Sequence, residues 1–119
     1  MQLPPALTHW FAAQGWALHP HQTEMLARAA EPATLLIAPT GGGKTLAGFL
    51  PTLAELADGA HKGLHTLYIS PLKALTADIR RNLRRPVEGA NLPIRTEDRT
   101  GDTTYPPRRR QRADPPHIL

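Results

Sequence analysis

Residues 38–45 read Ala-Pro-Thr-Gly-Gly-Gly-Lys-Thr, and their flanks restrict what they can form. Thr34-Leu35-Leu36-Ile37 before them is a short β-prone run, and Leu46-Ala47-Gly48-Phe49-Leu50 after them is apolar at helical spacing. Strand, glycine-rich turn, Lys-Thr and helix is the order in which proteins hold a nucleoside triphosphate. Wrapping a phosphate in backbone N–H groups needs unusual dihedrals and close approach, which Gly41, Gly42 and Gly43 permit without steric cost. A helix starting near Lys44 aims its free N–H groups and positive end at the same phosphate. Lys44 is then the cation for the β- and γ-phosphates, and the Thr45 hydroxyl the ligand for Mg²⁺. The candidate nucleotide-binding residues are Thr40, Gly41, Gly42, Gly43, Lys44 and Thr45, with Lys44 and Thr45 also catalytic. The pattern G-x-x-x-x-G-K-[ST] starts with glycine, and Ala38 stands there instead. A strand-to-helix turn with no ligand is the competing reading, and three glycines followed by Lys-Thr argue against it.

The rest of the chain alternates helical and strand patterns. Pro4 to Gln14 carries Leu7, Trp10 and Phe11 on one side and stops at Gly15. Pro20 suits the first turn of a second helix, to Ala30, with Met25 and Leu26 inward. Ala33 to Ala38 reads as a strand, and Lys44 to Ala57 as a helix that Pro51 should kink or end early. Leu64 to Ser70 reads as a second strand. Leu72 to Arg85 reads as a helix on the spacing of Leu72, Leu75, Ile79 and Leu83. Pro93 to Glu97 is a weaker strand, and His117-Ile118-Leu119 looks like the start of another. Such alternation predicts an α/β fold, a parallel sheet with helices on both faces. Ligands bind such sheets at the carboxyl ends of the strands, where both the glycine loop and the Ser70-Pro71 turn lie.

Composition narrows the function classes. At 119 residues the chain is one domain at most, with no cysteine for a disulfide or thiolate metal site. It shows no signal peptide and no apolar run of membrane-spanning length, so a cytoplasmic location with no membrane partner is expected. Charge is uneven. Residues 1–60 hold two basic and four acidic groups, residues 61–119 twelve and six, for +4 overall. A basic second half fits a polyanion, although a solvated basic surface explains the charge equally well. The arginine pairs Arg80/Arg84 and Arg81/Arg85 each share a helix face, and Arg108, Arg109, Arg110 and Arg112 form a second cluster.

Three segments together resemble a known family. A-P-T-G-G-G-K-T-L-A-G-F-L-P resembles motif I of superfamily 2 DEAD/DEAH-type helicases, Tyr68-Ile69-Ser70-Pro71-Leu72-Lys73-Ala74-Leu75 their motif Ia, and Arg99-Thr100-Gly101-Asp102-Thr103 the segment called Ib or Ic. P-L-K-A-L with R-T-G-D-T is most similar to the Lhr-like helicases, the ligase-associated DEXH-box group among them. The resemblance implies a P-loop NTPase of RecA-like fold that uses ATP and Mg²⁺ to move on DNA in repair. It implies that Gln22, in H-P-H-Q, reads adenine, since an amide both donates and accepts. It implies that Pro71, Lys73, Thr100, Gly101 and Asp102 touch the nucleic-acid backbone, contacts that position a strand without reading its sequence. Single-stranded or tailed duplex DNA is the implied partner, with a ligase or nuclease as associate. RNA stays open, because no residue visibly reads a 2′-hydroxyl.

No D-E-x-H or D-E-x-D occurs in the sequence, nor T-T-P-E after P-P-H-I-L. The expectation is therefore the N-terminal part of helicase RecA-like domain 1: residues 1–32 a helical lead-in, and residues 33–119 a P-loop core cut before motif II. The sheet is then incomplete at its C-terminus, and the piece alone inactive. Two alternatives stay open: another P-loop enzyme such as a nucleotide kinase, or a non-catalytic nucleotide- or nucleic-acid-binding remnant.

Overall fold

The computed structural model of this chain describes residues 2–37, 44–70, 75–99, 111 and 114–119. Within them lie four helices: α1 (Pro5–Ala13), α2 (Pro20–Ala27), α3 (Lys44–Leu56) and α4 (Thr76–Gly89). Each boundary has a local cause. α1 ends in a Schellman turn, with Gly15 at φ +71° while its N–H bonds the Ala12 carbonyl at 3.0 Å and the Trp16 N–H bonds that of Phe11 at 2.9 Å. Pro20 opens α2 as expected. α4 ends in a second Schellman turn, where the expectation stopped at Arg85. Asn91 takes the left-handed position at φ +52°, the Leu92 N–H bonds the Val87 carbonyl at 2.9 Å and the Asn91 N–H that of Glu88 at 3.1 Å. Leu92 and Val87 are both buried, which supplies the apolar contact of this motif.

Pro51 does not end α3, which runs on to Leu56. Proline inside a helix costs about 3 kcal/mol. Burial of Leu53 and Leu56 beyond it offsets that, each contributing about 2 kcal/mol. Pro86 lies inside α4 in the same way, itself buried.

The β pairing among the described residues centres on Ile118. It bridges Thr66 on one side and Thr96 on the other, both in parallel. The Tyr68 N–H donates to the Leu119 carbonyl at 3.0 Å, that of Leu119 to Thr66 at 3.1 Å, and that of Glu97 to Ile118 at 3.0 Å. Residues near 66, 118 and 96 thus lie side by side in that order, and the strand start expected at 117–119 is the middle one. Ala33 to Ile37, expected as a strand, has no described strand partner, and Leu35 and Ile37 are 84% and 85% exposed.

One core lies between α1, α3, α4 and this β region: Leu7, Phe49, Leu53, Leu83, Val87 and Ile118 belong to it. A smaller cluster joins Phe11, Leu26 and Leu50, so α2 seats on α3. α1 meets α4 where Trp10 covers Gly89. A Cβ at Gly89 would run into the Trp10 indole nitrogen, and that ring is braced by edge contacts to Phe11 and Trp16. Gly89→Ala is therefore expected to destabilise the folded protein by about 2 kcal/mol, read as a lower denaturant midpoint at unchanged slope. An unchanged midpoint would mean the indole moves aside freely.

Candidate nucleotide and nucleic-acid site

α3 sets the position of the residues that follow the glycine loop. Ala47, Phe49, Leu50, Leu53 and Leu56 bury its inner face. The Thr52 and Thr66 hydroxyls hydrogen-bond at 3.0 Å, and the Phe49 and Tyr68 rings pack at 5.4 Å. The middle of the helix is thus tied to the β region at two places. Lys44 is exposed and Thr45 half-buried at that end, with no acidic residue in the first turn. The helix's own first turn carries no acid to offset its positive terminus, and a cation and a hydroxyl stand there. That donor set fits a triphosphate with its Mg²⁺. Thr40, Gly41, Gly42 and Gly43 lie outside the described residues. Among the described residues no three His, Cys, Asp or Glu side chains gather as a metal site.

Gln22 stands on α2, the helix packed against α3, and is 3% exposed. Its Oε1 accepts the His19 N–H at 2.9 Å, reaching back over the first turn. A backbone N–H only donates, so this bond settles which end of the amide is oxygen. Sequence reading missed this capping role, because the usual box has Ser or Thr at the cap and His19 stands there. Neighbouring His21 stacks on His19 at 5.4 Å, and its Nε2 is buried with no hydrogen-bond partner among the described residues. Phe11 is buried in the small cluster, so its ring offers no free face for a base.

Pro71, Lys73, Thr100, Gly101 and Asp102 lie outside the described residues, and the structure describes what flanks them. α4 carries Arg80, Arg81, Arg84 and Arg85, all exposed. Arg80 pairs with Asp98 at 2.8 Å and Arg81 with Asp78 at 3.7 Å, while Arg84 and Arg85 make no ion pair with a described residue. Asp98 also accepts a hydrogen bond on its carbonyl from Gln111 Nε2 at 3.0 Å. Arg95 Nη1 reaches Asp114 at 3.0 Å, and that hydrogen bond is the main cause of a guanidinium pKa above its ordinary value.

With this geometry established, comparison with known proteins is decisive. The family described as DEAD/DEAH box helicase matches residues 19–119. This chain belongs to that family. The helicase match also covers all three segments that resembled motifs I, Ia and Ib. Among curated helicases, the chain is 43% identical to "Lhr helicase/ probable uracil glycosylase" of Mycolicibacterium smegmatis, over 96% of this chain and 9% of that protein. It is 46% identical to "ATP-dependent helicase Lhr-Core" of Methanothermobacter thermautotrophicus, over 71% of this chain and 12% of that protein. A solved structure, Mycobacterium smegmatis helicase Lhr bound to ssDNA and AMP-PNP, superposes with a TM-score of 0.85 at 41% identity, covering 98% of this chain and 16% of that one. The chain thus spans about a tenth of the curated relatives named here. No described helix is long and apolar enough to cross a membrane.

Proposed function

We propose that this chain is the N-terminal, ATP-binding part of an ATP-dependent DNA helicase or translocase of the Lhr type. The observation that carries the reading is the first turn of α3, which holds Lys44 and Thr45 and no acid. The likeness to a helicase structure that holds ssDNA and AMP-PNP supports both ligands. Lys44 binds the β- and γ-phosphates, Thr45 holds Mg²⁺, and Gln22 meets the adenine edge. The metal, when bound, neutralises charge developing on the transferred phosphoryl group. Pro71, Lys73, Thr100, Gly101 and Asp102 lie along the single-strand backbone. DNA repair is the process that the family resemblance points to.

A nucleotide kinase is the weaker reading, since the helicase match extends well beyond the phosphate loop.

The test is nucleotide and ssDNA binding by the full-length helicase, with Gln22→Glu as the diagnostic variant. Glutamate keeps an oxygen for the His19 N–H but has no donor for adenine. The expected result is ATP affinity lower by about ten-fold with GTP affinity unaltered, measured at a temperature where the variant's melting curve shows it folded. Equal losses for ATP and GTP would remove Gln22 from the adenine site. A full-length protein that binds neither nucleotide nor ssDNA would overturn the helicase reading.

A further inference from the structure

Asp98 joins three segments that are distant in sequence. Its carboxylate takes Arg80 Nη1 of α4 at 2.8 Å. Its carbonyl takes Nε2 of Gln111 at 3.0 Å. Arg99-Thr100-Gly101-Asp102 follows it directly, and α4 follows Pro71 and Lys73. Gln111 is 5% exposed, so its amide is held inside the protein rather than resting on the surface. A second tie lies just outside the first, from Arg95 Nη1 to the Asp114 carboxylate at 3.0 Å. The carbonyl of Arg95 in turn accepts the His117 N–H at 3.0 Å, which links this tie to the β region.

We propose that Arg80, Asp98 and Gln111 are positioning residues that set the spacing between the two segments contacting the nucleic-acid backbone. The inference rests on the helicase reading above. Successive phosphates of one strand are met by two separate pieces of chain, so affinity depends on holding those pieces at a matched separation. Asp98 is the last described residue but one before the second piece. Its side chain is bound to the helix that carries on from the first piece. Gln111 fixes its main chain, so the carboxylate and the departing backbone are held together. Neither of the two contacts that join them needs a phosphate as partner, which separates this role from direct binding by a basic residue.

The experiment measures equilibrium binding of fluorescent oligo-dT and of ATP to the full-length helicase, at several salt concentrations. Arg80→Ala is expected to weaken oligo-dT binding about three-fold, and Gln111→Leu about ten-fold, with ATP affinity unchanged. The slope of log affinity against log salt stays at the wild-type value, because no phosphate contact is lost. The exchanged pair Arg80→Asp with Asp98→Arg recovers the affinity lost in Arg80→Ala. Arg80 and Asp98 are partly exposed, so these variants test the idea even if Gln111→Leu fails to fold. A fall in slope of about 0.7 in Arg80→Ala, with no recovery in the exchanged pair, would make Arg80 a direct phosphate contact and overturn the proposal. Wild-type oligo-dT affinity in Arg80→Ala would also overturn it. Wild-type protein that binds ATP but no oligo-dT would instead refute the nucleic-acid reading on which it rests.

Discussion

Lys44→Ala in the full-length helicase is expected to lower ssDNA-stimulated ATP turnover at least about a hundred-fold. Lys44 is exposed at the start of α3 and belongs to neither core cluster, so the change leaves the fold alone. Stability should move by no more than about 0.5 kcal/mol. What is lost is the one described cation at a positive helix end with no acid in its first turn. The triphosphate brings its own negative charge there, and that charge grows on the bridging oxygen as the terminal phosphoryl group departs. An alanine leaves the backbone donors but removes the mobile charge that follows the γ-phosphate. Steady-state phosphate release at saturating ssDNA, beside a melting curve, separates the two effects. Turnover within ten-fold of wild type would show that Lys44 is not the phosphate cation.

The second large effect concerns residues 1–119 produced alone. Strand residues alternate between the two faces of a sheet. Thr66 and Tyr68 face α3, through the Thr52 hydroxyl and the Phe49 ring. Leu67 and Ile69 therefore face the other way, and they are 59% and 81% exposed. With Leu35 and Ile37, also exposed, they leave much apolar surface open among the described residues, which drives association. The isolated piece is expected to self-associate, to melt without a cooperative transition, and to show no ATP turnover. Leu67→Glu sharpens the test, because its effect should change sign with context. In the isolated piece it raises solubility, seen as lower light scattering at matched concentration. In the full-length helicase it is expected to lower stability by about 3 kcal/mol, the cost of a carboxylate on an apolar face that becomes buried. A monomeric, reversible, cooperative melt of the 119-residue piece would refute the expectation.

The helices were legible from sequence where local chemistry marked them. Gly15 and Pro20 bound α1 and α2 because one takes a left-handed dihedral and the other presets the first turn. Pro51 does not bring the early end given as one of its two outcomes, because local rules assign a proline its cost but do not see the packed residues that offset it. Asn91 was a readable stop for α4, and the spacing of leucines drew the boundary too early. The candidate site divides in the same way. Lys44 and Thr45 stand out because the chemistry of a phosphate loop is contiguous in sequence. The tie from Asp98 to Arg80 and Gln111 was invisible, since it joins residues 18 and 13 positions apart that carry no common motif. Gln22 was legible only through the family resemblance, and its bond to His19 only through the structure.

The place of Ile118 has a bearing on how this domain is made. The segments around Thr66 and Thr96 both emerge earlier during synthesis, yet neither pairs with the other: each is joined to the residue that comes after them both. Bonds such as that from Arg95 to His117 span 22 positions, and that from His117 to His61 spans 56. Contacts of such long range are slow to form, because the entropy of the intervening chain is lost first. α1 to α4 are all synthesised before any of this pairing can occur, as an amphipathic set with its β partner missing. In that interval the nascent chain carries an open slot of strand width, an invitation to chaperones or to a neighbouring chain, which the insertion of one late segment closes.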